Sequence, residues 1–124
     1  MCMKISEVAM ATGLSVDTLR FYEKIGLIDP PARDAAGRRV YDRDILGWIR
    51  FLGQLNATGM KQADRVRYAR LRARGRDTLA ERREMLEAHR EVIRRQLEQL
   101  HDTLALMDRK VAIYHDLEKE SADV

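Results

Sequence analysis

The side chains whose types and spacing suggest chemistry are mostly cations. Arg20, Lys24, Arg33, Arg38 and Arg39 crowd one short stretch, and Ser15, Asp17, Thr18, Phe21, Tyr22 and Tyr41 lie among them or beside them. Guanidinium and ammonium groups neutralise phosphates, hydroxyls hydrogen-bond phosphate oxygens, and aromatic rings pack beneath both, so this set suits a nucleic-acid backbone. Bond-making chemistry lacks its parts: there are no paired carboxylates in a concave setting, no glycine-rich phosphate loop and no Ser/His/Asp or Cys/His arrangement. Neither an enzyme nor a cofactor is therefore expected. His89, His101 and His115 are 12 and 14 residues apart, which does not set two rings on adjacent helical turns as a metal pair would require. They are expected on a helix surface, with no metal. The single Cys2 permits no intrachain disulfide and is expected at a frayed terminus.

The charge is unevenly shared. Residues 1–78 hold 15 basic and 9 acidic side chains, a net +6, whereas residues 79–124 hold 8 and 11, a net −3. The first part has an electrostatic reason to sit on a polyanion in a salt-sensitive way, and the second reads as a solvated helix. Residues 1–15 lack the continuous apolar run of a signal peptide, and no stretch of about 18 apolar residues could span a bilayer. The cytoplasm is the expected location, with no membrane partner.

The elements that must position these groups are legible from punctuation. Ile5, Val8, Ala9 and Met10 give a short helical pattern with Ser6 as its expected N-cap and Gly13 as a left-handed stop. A second helix starts at Ser15, carries Asp17 where the helix dipole favours negative charge, repeats Val16, Leu19 and Tyr22 or Glu23, and stops at Gly26. Two short helices joined by Gly-Leu-Ser read as a helix-turn-helix. Its second helix would present Asp17, Phe21 and Lys24 on the side opposite Leu19 and Glu23. Residues 29–41 cannot be helical at Pro30 and Pro31. Ala36-Gly37 supplies a turn before a β-compatible Arg-Val-Tyr run, which together read as a hairpin-like wing. From Asp42 the pattern is helical again, with Trp48 expected in core packing, and a further helix runs from about Met60 to Arg74. Its Arg65, Arg67, Arg70, Arg72 and Arg74, with Arg76, read as a solvated face or as phosphate contacts.

Residues 77–120 contain neither Pro nor Gly. Leu79, Leu86, Ile93, Leu100, Met107 and Tyr114 recur every seven residues, and Leu97, Leu104 and Val111 fall four after three of them. This is a coiled-coil seam. A helix of roughly 60 Å cannot bury such a stripe in its own small protomer. It needs a partner helix, most simply its own copy, and a two-fold axis would then present two basic heads to one ligand.

In this order the motifs resemble the MerR family of transcriptional regulators. The resemblance rests on Ile5-Ser-Glu-Val-Ala with Thr12-Gly-Leu-Ser, on Thr18-Leu-Arg-Phe-Tyr-Glu-Lys-Ile-Gly-Leu-Ile28, and on Pro30, Arg33, Gly37, Arg39 and Tyr41. It implies a mostly α architecture: a winged helix-turn-helix head over 1–58, a connector helix over 59–76 that completes a two-helix connector, and a long antiparallel coiled-coil dimerisation helix over 77–120. Residues 121–124 are expected as a disordered tail. The resemblance further implies a cytoplasmic homodimer on a dyad operator in double-stranded promoter DNA, beside RNA polymerase holoenzyme. The activated dimer would bend and underwind an overlong promoter spacer. Arg20 and Tyr22 fall where such proteins contact DNA, and Arg33, Arg39 and Tyr41 where they grip the backbone or flanking minor groove. Arg38 departs from the pattern, since many relatives carry an aromatic there, so a phosphate contact would replace stacking.

Metal and redox sensors of this family carry cysteines near both ends of the dimerisation helix. This chain has none there, which disfavours soft-metal and iron–sulfur sensing. The chain ends within ten residues of Tyr114, so no C-terminal effector domain is expected. A small-molecule effector, unidentified, would then bind in a crevice where Met60, Val66, Tyr68, Ala69 and Leu71 meet the partner's long helix. The alternative is a protein-interaction adaptor, resembling some chaperone modulators, that retains the helix-turn-helix without DNA binding. The retained Arg20, Arg33, Arg38 and Arg39 favour DNA.

Overall fold

The computed structural model describes residues 2–122, except for the side chain of Ala122. Its elements follow in the order β1 (Cys2–Met3), α1 (Ile5–Thr12), α2 (Val16–Ile25), β2 (Ala32–Arg33), β3 (Arg39–Asp42), α3 (Ile45–Ala57), α4 (Gln62–Arg74), a 3-10 turn (Arg76–Thr78) and α5 (Leu79–Ala122). The chain divides into two compact units, one up to Met85 and one from Leu86 onward.

In the first unit, α1 and α2 form the expected helix-turn-helix. Ser15 caps α2: its Oγ accepts from the Thr18 backbone N–H at 3.0 Å, supplying one partner for a helix start that has no intrahelical acceptors. Gly13 and Gly26 end the two helices at φ 74 and 87, the left-handed conformation that an L side chain resists. The cap of α1 is Lys4 rather than Ser6, because the Glu7 carboxylate reaches back to accept from the Lys4 N–H at 2.9 Å. Apolar residues on these helices, with Leu27 and Ile28 just beyond α2, close a core of Val8, Leu19, Leu27, Ile28, Tyr41, Ile49 and Leu52.

The wing is a β-hairpin extended by a third strand. β3 is central, pairing antiparallel with β2 (Arg33↔Arg39) and with β1 (Met3↔Tyr41). Cys2 is thus not at a frayed end. It lies exposed in a strand opposite Asp42, because β3 offers a ladder edge and Met3 packs against the core. The second helical pair begins later than Asp42, at Ile45, and Asp42 instead accepts from the Asp44 N–H at 3.0 Å in the preceding turn.

The passage from α4 to α5 is fixed at Thr78, which is 1% exposed. Its Oγ1 donates to the Leu71 carbonyl at 2.6 Å and lies 2.8 Å from the Gly75 carbonyl, while Arg82 Nε donates to it at 3.0 Å. These contacts satisfy carbonyls at the end of α4 that have lost their helical partners. The second unit is helical throughout its described length, and its residues from Leu97 to Ser121 are all exposed. Ser121 and Ala122 continue α5 rather than starting a disordered tail; residues 123 and 124 lie outside the described residues. No helix among the described residues is long and apolar enough to cross a membrane.

Candidate nucleic-acid interface

The recognition helix of the pair is α2. On it Asp17, Arg20, Phe21 and Lys24 are exposed, as is Ser15 at its cap, while Leu19 is wholly buried. Thr18 is half-buried, its hydroxyl 2.9 Å from Ser15 Oγ, and serves the helix start. Tyr22 is half-buried and packs on the core. The expected polar face thus stands with Arg20 and Lys24 as its free-reaching cations, while Tyr22 and Thr18 are partly committed to the fold.

The wing's tip is organised by Asp34, which was missed in the sequence. Its Oδ1 accepts from the Ala36 and Arg38 N–H groups, both at 2.9 Å, and its Oδ2 lies 3.3 Å from Arg38 Nε. The Arg38 backbone N–H chiefly, with the Ala36 N–H and the Arg38 charge, holds the Asp34 carboxyl below its ordinary range. Arg33 folds over the same turn, donating to the Gly37 carbonyl at 2.7 Å. An Asx-type turn with Gly37 at φ 79 explains why the sequence Asp-Ala-Ala-Gly reverses the chain.

Glu23 is the second missed residue. It sits on the inner side of α2, where its carboxylate accepts from the Tyr41 hydroxyl and stands 3.7 Å from Arg39 of β3. One carboxylate therefore ties the recognition helix to the wing strand. Burial first, then the Glu23 hydrogen bond and charge, push the Tyr41 hydroxyl's pKa up, so it remains protonated far above neutrality. Tyr41 itself is 3% exposed, which corrects the expectation that it grips a phosphate: its ring is core and its hydroxyl is occupied. Arg33, Arg38 and Arg39 remain exposed. Each has an internal acceptor at the surface, where phosphate competes readily because exposed pairs are worth little.

The connector differs more from expectation. Arg65 is buried rather than solvated, its Nε donating to the Met60 carbonyl at 3.3 Å. Arg72 lies over the Trp48 indole, 4.2 Å from its centroid, and Arg67 is 3.8 Å from Glu81. Trp48 is held as expected for packing: Nε1 donates to the Leu27 carbonyl at 2.7 Å and the ring stacks on Tyr68 at 5.9 Å. Of the residues expected to line an effector crevice, Met60, Tyr68, Ala69 and Leu71 are buried and Val66 packs against the core. The open volume of the first unit lies instead on the wing side, where only Ala69 of that set borders it.

On α5 the heptad positions Leu79, Leu97, Leu100, Leu104, Met107, Val111 and Tyr114 are exposed in the single chain, and Leu86 and Ile93 are half-buried. Leu106, Ile113 and Leu117, which do not belong to that repeat, are exposed as well. His101 and His115 are on the surface as expected, but His89 is buried. Among the described residues no group of three or more His, Cys, Asp or Glu could hold a metal ion.

A basic recognition helix coupled to a basic wing defines a helix-turn-helix regulator of the winged type. Comparison with known proteins agrees. Residues 4–41 match the model of the MerR family regulatory proteins. An uncharacterised HTH-type transcriptional regulator of Haemophilus influenzae is 35% identical over 88% of this chain and 81% of its own length. The regulator AdhR of Bacillus subtilis is 35% identical over 72% of this chain, which spans 64% of AdhR. A crystal structure of HiNmlR, described as a MerR family regulator lacking the sensor domain and bound to promoter DNA, superposes with a TM-score of 0.82 at 34% identity. That match covers 94% of this chain and 92% of the other. The chain belongs to the MerR family of transcriptional regulators. None of these relatives supports the adaptor alternative.

Proposed function

We propose that the protein is a sequence-specific, cytoplasmic, homodimeric transcriptional regulator and not an enzyme. It binds a dyad operator in promoter DNA beside RNA polymerase holoenzyme and bends and underwinds the spacer in response to a signal. The observation that carries this reading is the Glu23 bridge. It fixes β3 against α2, so that Arg20 and Lys24 on the helix and Arg33, Arg38 and Arg39 on the wing move as one basic surface. Arg20 and Lys24 would contact DNA from the major-groove helix, with Ser15, Asp17, Thr18, Phe21 and Tyr22 around them, and the wing arginines would hold flanking phosphates. The α5 seam would join two such heads, and the division into a head over 1–58, a connector over 59–76 and a dimerisation helix follows from that role. Deformation of DNA needs rigid leverage, because its energetic cost is recovered only through contacts made at once on both half-sites.

The test is an electrophoretic shift on the DNA upstream of the protein's own gene, using wild type and the Arg20→Ala and Arg39→Ala variants. Specific retention by wild type, weakened at least tenfold by each substitution, supports the reading. Equal retention by all three proteins, with unaltered folding, contradicts it.

A further inference from the structure

A half-open cleft of about 480 Å³ lies in the head between the wing and helices α3 and α4. Its floor is buried and apolar, made by Leu27, Ile28 and Tyr41, and Pro30, Pro31 and Trp48 stand along its walls. Its size falls within the range of roughly 300–1,000 Å³ that small-molecule sites occupy.

The charge around this cleft is opposite to that of the head. Asp29, Asp42 and Asp44 border it, and Arg72 is the one cationic side chain that does so among the described residues. The first 78 residues hold 9 acidic against 15 basic groups, so a third of their carboxylates converge on one concavity. Concave, apolar-walled sites focus such a field and concentrate the counter-charged species. Trp48 adds a π-surface that already attracts a guanidinium, that of Arg72 at 4.2 Å.

We propose that this cleft binds a small organic cation with an aromatic or bulky apolar body. Its positive charge faces Asp29, Asp42 and Asp44, and its body rests against Trp48, Pro30 and Pro31. Because the walls belong to the wing on one side and to α3 and α4 on the other, an occupant sets the spacing between two elements of the head. The cleft thereby gives the regulator reading an effector class, and it rests on that reading only for its consequence on DNA.

Trp48 is the single tryptophan, so its fluorescence reports on this cleft without a label. The full chain, free of DNA, is titrated with tetraphenylphosphonium and separately with tetraphenylborate, an anion of the same shape. The expected result is a saturable change in Trp48 emission with the phosphonium, at a Kd at least tenfold tighter than any response to the borate. The double variant Asp29→Asn/Asp44→Asn keeps the shape and a competent helix cap, and it should weaken phosphonium binding on the order of tenfold. Raising salt from about 50 mM to about 500 mM should weaken it in wild type too, which covers the case of a variant that does not fold. No saturable response, equal response to the borate, or a response indifferent to both salt and substitution overturns the proposal. A chain that binds the phosphonium but no DNA overturns the regulator reading and leaves the cleft standing.

Discussion

Replacing Leu100 and Leu104 together by alanine tests whether the exposed stripe on α5 holds two copies together. In the single chain these side chains are 65% and 58% exposed. Fully covering a leucine contributes roughly 1.5–3 kcal/mol, so covering the exposed part of each contributes about 1–2 kcal/mol. Two residues in each of two protomers then sum to about 4–8 kcal/mol per dimer, or roughly a thousandfold or more in the dimer dissociation constant. Alanine is the strongest helix former, so the substitution removes seam contacts without removing helical propensity. Sedimentation equilibrium over a range of concentrations reads the dissociation constant, and far-ultraviolet circular dichroism confirms that the heads remain folded. A wild-type monomer at micromolar concentration, or a double variant that dimerises as tightly as wild type, refutes the seam.

Three further outcomes follow from the head. Lys24→Ala and Arg38→Ala should each weaken DNA binding nearly uniformly across sequences and lower the slope of log K against log salt by about 1, measured by anisotropy titrations at several salt concentrations. Thr78→Val leaves the Leu71 carbonyl and Arg82 Nε without their partner in a site 1% exposed, and should lower stability by about 1–3 kcal/mol in urea unfolding. Tyr41, whose folded pKa is raised above that of an ordinary tyrosine, contributes stability that is fully present below about pH 10 and is lost as pH rises toward its folded pKa. Ultraviolet difference titration should therefore show one of the four tyrosines ionising well after the others, and Tyr41→Phe should abolish that late step.

The parts of the fold legible in the sequence are those set by neighbouring residues. Ser15 and Gly26 bracket α2 because capping and the left-handed stop are local, and the α5 stripe is legible because a seven-residue repeat encodes its own surface. Strand β1 was not, since two residues carry no periodicity and pair only because β3 exposes an edge. The Glu23 bridge was also out of reach: the spacing of α2 marks Glu23 as inward-facing, but its partners Tyr41 and Arg39 come from a strand 16 and 18 residues away. Tyr41 was misread for the same reason, because an aromatic at a wing position looks like a surface contact until its hydroxyl finds a carboxylate. Arg65 shows the converse. An arginine in an arginine-rich helix reads as solvated, yet the turn before α4 presents the Met60 carbonyl to its guanidinium and buries it.

The central claim is specific recognition of DNA by a dimer. Fluorescence anisotropy of the full chain on the duplex upstream of its own gene, and on a scrambled duplex of equal length, tests it at two salt concentrations. The account requires saturable binding at one dimer per site that survives the higher salt on the native duplex alone. Binding that is equal on both duplexes and lost together as salt rises would contradict it.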